Sequence, residues 1–155
     1  MEMYSQADGT KGSPSTAIPY SAQSSILVVE DNVNEHLIMQ YLMRKQFQNA
    51  LHVGATSAGQ ALTYLENCRL RQQAMPKLIL LDLYLPTQGE GWGLLRHLRC
   101  QAVYQRIPIV IISHSADAED IELSYYWGAD FYITKPVTIE GWLDTFQTLS
   151  NYSLE

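Results

Sequence analysis

Five side chains with charged or reactive groups stand directly after short apolar runs of this sequence. Glu30 and Asp31 follow the first run, Asp82 a second, Ser113 a third and Lys135 the last. In an open sheet of parallel strands, polar groups at the carboxyl ends of the strands meet at one edge, where ligands bind. We therefore expect three carboxylates, one hydroxyl and one ammonium group to converge on one small patch.

The chemistry of such a patch is that of a metal-assisted phosphoryl site. Crowded carboxylates resist ionisation unless a cation joins them, and oxygen ligands suit Mg²⁺, with Mn²⁺ as an alternative, rather than zinc. A divalent cation beside a lysine is a partner for a phosphoryl group, which an ionised aspartate can accept as a mixed anhydride. Singly, each residue has a simpler role as a cap, loop hydroxyl or solvated charge. Those simpler roles give no reason for four strand ends to carry these residue types together.

Strand-like and helix-like patterns alternate five times from residue 24 onward. The apolar runs are short and rich in β-branched residues, as is typical of strands buried on both faces. Connections long enough for right-handed crossovers predict an α/β fold with helices on both faces of a parallel sheet. Five strands without a glycine-rich dinucleotide fingerprint fit the doubly wound order 2-1-3-4-5. The predicted strands are 25–29, 50–54, 78–81, 109–112 and 130–134.

Capping residues and apolar spacing predict five helices between and after these strands. Predicted helix starts lie at Asn32, at the capping-box pair Ser57 and Gln60, at Asp117 and at Thr138. The first helix is expected to bury one stripe made of Val33, Leu37, Ile38, Tyr41, Leu42 and Phe47. The fourth is expected to turn Ile121, Ser124 and Tyr125 inward.

Composition restricts the class of protein. The 155 residues carry a net charge of −6, which argues against binding to nucleic acid or anionic lipid by bulk electrostatics. No signal peptide or membrane span is predicted, and Cys68 and Cys100 are expected to be reduced thiols. We therefore predict a cytoplasmic protein with one domain over 24–152, a loosely attached or disordered leader over 1–23 and a tail over 153–155.

Four motifs in order carry a family resemblance. They are ILVVEDN at 26–32, LILLDLYLP at 78–86, VIIS at 110–113 and GADFYITKP at 128–136. With these motifs, the chain from residue 24 to about 152 resembles the receiver domain of two-component response regulators. The resemblance implies a flavodoxin-like fold with five strands and five helices.

The resemblance also implies a metal and a phosphoacceptor. Asp82 matches the residue that accepts the phosphoryl group. Asp31 matches a direct ligand of Mg²⁺, and Glu30 matches one that more often acts through water. The backbone carbonyl of Tyr84 would complete the protein ligands.

A switch is implied as well. Lys135 matches the lysine that pairs with phosphoryl oxygens, and its bond to Pro136 is expected to be cis. Ser113 matches the hydroxyl that moves toward the phosphoryl group. Tyr132 matches the aromatic residue that then swings inward and changes the surface of the fourth helix, fifth strand and fifth helix.

Two departures from the family pattern border the site. Gly91 comes nine residues after Asp82 rather than eight, so the loop that begins at Pro86 holds one extra residue, which Gly89 is placed to absorb. His114 stands where a small residue is common and is expected either to narrow access to Asp82 or to be an exposed loop residue without function.

Three further positions modulate the predicted function. Tyr84 and Ser115 occupy positions that tune the loss of phosphate in this family, and we hypothesise that Tyr84 shields an acyl phosphate from water. Trp127, with Tyr125, Tyr126 and Trp142, is expected either to form an aromatic partner surface or to pack at a helix end. The partner at this surface is expected to be either another protein or a second copy of the chain. The second copy would form a homodimer through the fourth helix, fifth strand and fifth helix.

The sequence thus predicts a single-domain receiver that is phosphorylated on Asp82 by a histidine kinase or phosphotransfer protein and signals to a protein partner. No enzymatic action on a diffusing substrate is expected, although the protein would assist its own phosphotransfer and dephosphorylation. A phosphorylation-independent adaptor of the same fold is the alternative. A phosphoaspartate phosphatase is disfavoured because Tyr84 stands where that class needs a second aspartate.

Overall fold

The computed structural model describes residues 24–153, so the predicted leader over 1–23 and the last two residues of the predicted tail lie outside it. Five parallel strands form one sheet in the order β2-β1-β3-β4-β5. This order and the α/β class confirm the predicted fold. The strands are β1 Ser24–Val29, β2 Ala50–Ala55, β3 Leu78–Leu81, β4 Ile109–Ser113 and β5 Phe131–Thr134.

Five helices connect and follow the strands. Asn32, Ser57 and Asp117 cap their helices as predicted, and Thr87 caps the third by accepting from the Glu90 N–H. The side chain of Gln60 accepts from the Thr56 N–H, one residue before the cap. The helices are α1 Val33–Gln46, α2 Ala58–Leu70, α3 Gln88–Cys100, α4 Ala118–Tyr126 and α5 Ile139–Ser153.

Two apolar cores lie on opposite faces of the sheet. Alternate β1 residues enter each core, with Leu27 and Val29 facing α2 and α3 and with Ile26 and Val28 facing α1 and α5. Because both faces of β1, β3 and β4 are covered, these strands are continuous apolar runs rather than alternating ones. The polar residue that follows each run therefore marks the point where the chain leaves the core.

The predicted buried faces of two helices need correction. On α1, the buried residues include Met39, Leu42 and Met43, whereas three of the predicted stripe are exposed: Val33, Leu37 and Tyr41. On α4, Ser124 is buried, whereas Tyr125 is exposed and its hydroxyl accepts from the Tyr132 N–H. The predictions are confirmed for Leu42, Phe47 and Ser124, which are buried, and are wrong for the exposed members because both helices also carry apolar or aromatic residues on their outer faces.

The loop after β3 brings its backbone very close to α3. A Cβ built on Gly91 would lie 1.8 Å from the carbonyl oxygen of Leu83, so this position admits no side chain. Among the described residues, the cis peptide bond joins Leu85 to Pro86. The expected cis bond between Lys135 and Pro136 is therefore wrong. A proline bond has only a small intrinsic preference, so sequence does not determine which one is cis.

The Arg99 side chain forms hydrogen bonds with three chain segments. They lie at the end of the sheet opposite the acidic residues. Its guanidinium donates to the carbonyl oxygens of Gly128 at 2.7 Å, Ile107 at 2.9 Å and Gln105 at 3.3 Å. It also pairs with the Asp130 carboxylate at 2.8 Å. The same carboxylate accepts from the Ile109 N–H at 2.8 Å, at the start of β4.

Within residues 24–153, no helix has the length and apolar character needed to cross a membrane.

Candidate functional site

The three predicted carboxylates lie together at the carboxyl ends of β1 and β3. Val29 pairs with Leu81 across these neighbouring strands, and the Asp82 N–H donates to the Val29 carbonyl at 2.9 Å. Each of Glu30, Asp31 and Asp82 offers an oxygen, and these atoms all lie within 4.8 Å of one another. Glu30 and Asp82 are buried, and Asp31 is the more exposed member.

Burial shifts the pKa values of two carboxyl groups in this cluster. Burial raises the pKa of Glu30 from 4.5 to about 7, against the opposing effect of hydrogen bonds from Lys135 and the Asn32 N–H. Burial also raises the pKa of Asp82 above its ordinary value. A cation bound beside these carboxyl groups would favour their ionised forms.

The donor set fits a hard divalent cation. Three carboxylates supply oxygen ligands at one edge of the sheet, and no sulfur or nitrogen donor belongs to this cluster. Mg²⁺ and Mn²⁺ prefer such ligands. Glu30, Asp31 and Asp82 are therefore the residues that could hold the cation.

Lys135 brings an ammonium group into the same pocket. Its Nζ lies 2.7 Å from Glu30, 2.5 Å from Glu35 and 3.5 Å from Asp82. Its backbone N–H donates to the Ser113 carbonyl at 2.6 Å, just beyond the paired ends of β4 and β5. Burial alone would lower the pKa of Lys135, but hydrogen bonds to the two glutamates outweigh burial and raise it.

Glu35 is a member of the pocket that sequence analysis missed. Its two carboxylate oxygens contact different partners, Lys135 Nζ and the ring Nε2 of His114, each at 2.5 Å. Burial would raise the pKa of Glu35, but these hydrogen bonds outweigh it and lower the pKa. Spacing gave no signal for Glu35, because Asp31 precedes α1 and an acidic residue in the first turn of a helix is common.

His114 is the second partner of Glu35 and is 67% exposed. The prediction that it narrows access to Asp82 is not tested by this contact. The contact places the His114 ring beside the first turn of α1, where Glu35 lies, so the ring has a partner outside its own loop.

The predicted switch residues are linked by hydrogen bonds. Ser113 is fully buried, and its hydroxyl oxygen accepts from the Ser115 N–H at 3.2 Å. Tyr132 is half-buried against the core and donates its hydroxyl to the Ser115 carbonyl at 2.7 Å. The Ser115 hydroxyl donates to Asp120 at 2.6 Å, which connects the loop to the first turn of α4.

Two other predicted positions border the pocket. The Tyr84 N–H donates to Asp82 Oδ1 at 3.3 Å, and the phenol ring is exposed. Pro136 is half-buried at the entrance to α5, where a Cβ on Gly141 would lie 2.9 Å from its ring.

The predicted aromatic surface is smaller than expected. Trp142 is buried and packs on Phe146, so its inclusion was wrong. Trp127 packs against the core and has the Arg96 guanidinium 4.2 Å from its ring centroid. Tyr126 is 76% exposed and contacts the edge of Trp127.

Comparison with known families agrees with this architecture. Residues 26–147 match the model of the response regulator receiver domain. The chain belongs to this family. Its general function is therefore that of a response regulator receiver in two-component signalling.

Two known proteins are similar to this chain over most of its length. The chain is 30% identical, over 83% of each sequence, to the probable methanogenesis regulatory protein FilR2 of Methanothrix harundinacea. It is 25% identical to the polar-differentiation response regulator DivK of Brucella ovis, over 80% of this chain and 94% of DivK.

Solved structures resemble the receiver over most of its length. The phosphorylated cyanobacterial phytochrome response regulator RcpA superposes with a TM-score of 0.76 at 27% identity, over 86% of this chain and 96% of RcpA. The Mn²⁺-bound form of response regulator Rcp1 superposes with a TM-score of 0.74 at 25% identity, over 85% of this chain and 95% of Rcp1.

Proposed function

We propose that this receiver accepts a phosphoryl group on Asp82 from a phosphohistidine of a sensor kinase or phosphotransfer protein, in a reaction that requires Mg²⁺. The observation that carries the proposal is the convergence of Glu30, Asp31 and Asp82 within 4.8 Å, with Lys135 Nζ 3.5 Å from Asp82. A carboxylate nucleophile, a divalent-cation site and a fixed ammonium are the groups that phosphoryl transfer to an aspartate needs.

The transfer step uses these residues in distinct roles. A carboxylate oxygen of Asp82 forms the new bond to phosphorus while the bond from phosphorus to the donor imidazole nitrogen breaks, and that nitrogen regains a proton. The bound cation would neutralise charge on the phosphoryl oxygens. Lys135 would pair with one of those oxygens, and Asp31 and Glu30, with the Tyr84 carbonyl, would hold the cation.

The signal would leave through the loop between β4 and α4. A phosphoryl group on Asp82 adds acceptor oxygens beside Ser113, whose hydroxyl now accepts from the Ser115 N–H. Reorientation of that hydroxyl would disturb Ser115, which contacts both Tyr132 and Asp120. The proposed readout is a changed surface on α4, β5 and α5.

That surface is also where a protein partner would bind. Tyr126 and Phe131 are exposed on α4 and β5. We propose a downstream protein or a second copy of the chain as the partner at this face. The cytoplasm is the proposed location, because the free Cys68 and Cys100 suit a reducing compartment.

Beryllofluoride, an analogue of the phosphoryl group, tests the proposal together with acetyl phosphate. With Mg²⁺ present, intact mass after acetyl phosphate should show one phosphoryl adduct, and tryptophan fluorescence should change with beryllofluoride. Both responses should vanish in Asp82→Asn and persist in Asp144→Asn, which makes the same change at an exposed α5 residue. Folded protein that gives neither response would contradict the proposal and favour the phosphorylation-independent adaptor.

A further inference from the structure

Glu35 and His114 form an anchored pair beside the proposed phosphorylation site. Glu35 reaches from the first turn of α1 and His114 from the loop after β4, and they meet at 2.5 Å. The other Glu35 oxygen contacts Lys135 Nζ at the same distance. One carboxylate therefore joins α1 to the chain segments that follow β4 and β5.

The ammonium group of Lys135 lies closer to two glutamates than to Asp82. Its Nζ is within hydrogen-bonding distance of Glu30 and Glu35, whereas Asp82 lies farther away at 3.5 Å. An ammonium group has three donors, and two of them are directed to the glutamates. A phosphoryl group on Asp82 would use the remaining donor and would share the positive charge of Lys135 with the two glutamates.

The Glu35 side chain is not needed to start α1. The helix cap is made by the backbone N–H of Glu35, which donates to the Asn32 side chain at 3.0 Å. The carboxylate is therefore available for a role in the pocket, where it is only 19% exposed.

We propose that Glu35, held in place by His114, competes with the phosphoryl group on Asp82 for Lys135. This competition weakens the binding of the phosphoryl group in the site. Glu35 acts through Lys135 and is thus a positioning residue. This inference rests on the proposed function, because the competing ligand is the phosphoryl group.

The test compares wild type with Glu35→Gln, which keeps the size of the side chain and removes its charge. Glu122→Gln, at an exposed α4 position, removes the same charge away from the pocket. The first readout needs no phosphodonor or metal: the ¹H–¹⁵N signal of the Lys135 ammonium, which is the buried one among the lysines of residues 24–153. The second is the affinity for beryllofluoride with Mg²⁺, followed by tryptophan fluorescence.

We expect Glu35→Gln to shift the ammonium signal and to tighten beryllofluoride binding by about fivefold, because the ion pair becomes a weaker hydrogen bond from the ammonium to an uncharged amide oxygen. Glu122→Gln should change neither. His114→Ala, which removes the other anchor of Glu35, should give a smaller change in the same direction and serves if Glu35→Gln does not fold.

Three results would overturn the inference. An unchanged ammonium signal in folded Glu35→Gln would show that Glu35 does not hold Lys135. A shifted signal with unchanged beryllofluoride affinity would show that Glu35 holds Lys135 without competing. If wild type, Glu35→Gln and Glu122→Gln all fail to bind beryllofluoride, the proposed function fails and the competition fails with it, whatever the ammonium signal shows.

Discussion

Tyr84 is the exposed aromatic residue whose backbone is bonded to the proposed phosphoacceptor. Its N–H contacts Asp82 at 3.3 Å, so the Tyr84 backbone lies at the proposed phosphoacceptor, and we expect its exposed ring to cover the edge from which water would approach. We predict that Tyr84→Asn loses phosphate about fivefold faster than wild type, which corresponds to a barrier lower by about 1 kcal/mol.

The decay of phosphorylated protein after removal of the phosphodonor provides the measurement. Tyr126→Asn, at an exposed tyrosine on α4, is the control and should decay at the wild-type rate. Equal rates in Tyr84→Asn and wild type would rule out shielding by this ring.

His52 on β2 gives the folded protein a pH dependence that is separate from the pocket. Burial, with added repulsion from His36 and Arg44, lowers its pKa from 6.5 to about 4, and its Nε2 lacks a hydrogen-bond partner among the described residues. Between these pH values the unfolded chain binds a proton that the folded chain does not, so stability falls as pH drops from about 6.5 toward 4.

We predict that His52→Gln is less sensitive to acid than wild type over this interval. The melting temperature at several pH values between 7 and 4.5 measures the effect. His97→Gln, at an exposed histidine on α3, should keep the wild-type slope. A wild-type slope in His52→Gln would show that other groups cause the acid sensitivity.

The role of Glu35 shows where sequence reasoning stopped at the residue scale. Glu30, Asp31, Asp82, Ser113 and Lys135 could be found because each lies at or directly after the end of an apolar strand. Glu35 lies inside a helix, where an acid in the first turn is already explained by the helix dipole. Its contacts with Lys135 and His114 depend on chain crossings that spacing along α1 does not encode.

At the scale of elements, the turn from β3 into α3 depends on one glycine. A methyl group at position 91 would collide with the Leu83 backbone, whereas nothing lies within 4 Å of the corresponding position at Gly93, two residues later in the same helix. We predict that Gly91→Ala destabilises the fold by about 3 kcal/mol because backbone must move.

Gly93→Ala is the matched substitution and should stabilise the protein by about 0.5–1 kcal/mol, since alanine is the better helix former. Urea unfolding of both variants measures the two free energies. If Gly91→Ala stabilised the protein as Gly93→Ala is expected to, the close contact between Gly91 and Leu83 would not be present in solution.

Elements and topology were more predictable than helix orientation. Buried strands are recognisable from their continuous apolar runs, and crossover rules leave few arrangements of five parallel strands. The inner faces of α1 and α4 were not predictable in the same way. Ser124 was correctly predicted to face inward, but Leu37, Tyr41 and Tyr125 are apolar or aromatic yet exposed, and only packing against the sheet distinguishes them from buried residues such as Met39.

At the scale of the whole molecule, we expect the acidic pocket to couple folding to the binding of a cation. Glu30 and Asp82 are buried with Lys135 as one positive charge between them, so a further cation bound at this site would favour the folded state. We predict that Mg²⁺ at about 100 times its dissociation constant stabilises the protein by about 2.7 kcal/mol.

Thermal unfolding with and without Mg²⁺ measures this coupling. Asp31→Asn removes one proposed ligand and should lose most of the increase, while Asp144→Asn should keep it. An equal increase in wild type and Asp31→Asn would place the cation elsewhere on the molecule.

The contacts of Arg99 have a consequence for which sequences can adopt this fold. One planar group holds the backbone before β4, the backbone before β5 and the Asp130 carboxylate, in directions that a single ammonium cannot reproduce. In a library of random replacements at position 99, we therefore expect lysine to be selected against almost as strongly as alanine. A substitution that keeps the positive charge at position 99 would therefore not be better accepted for that reason alone.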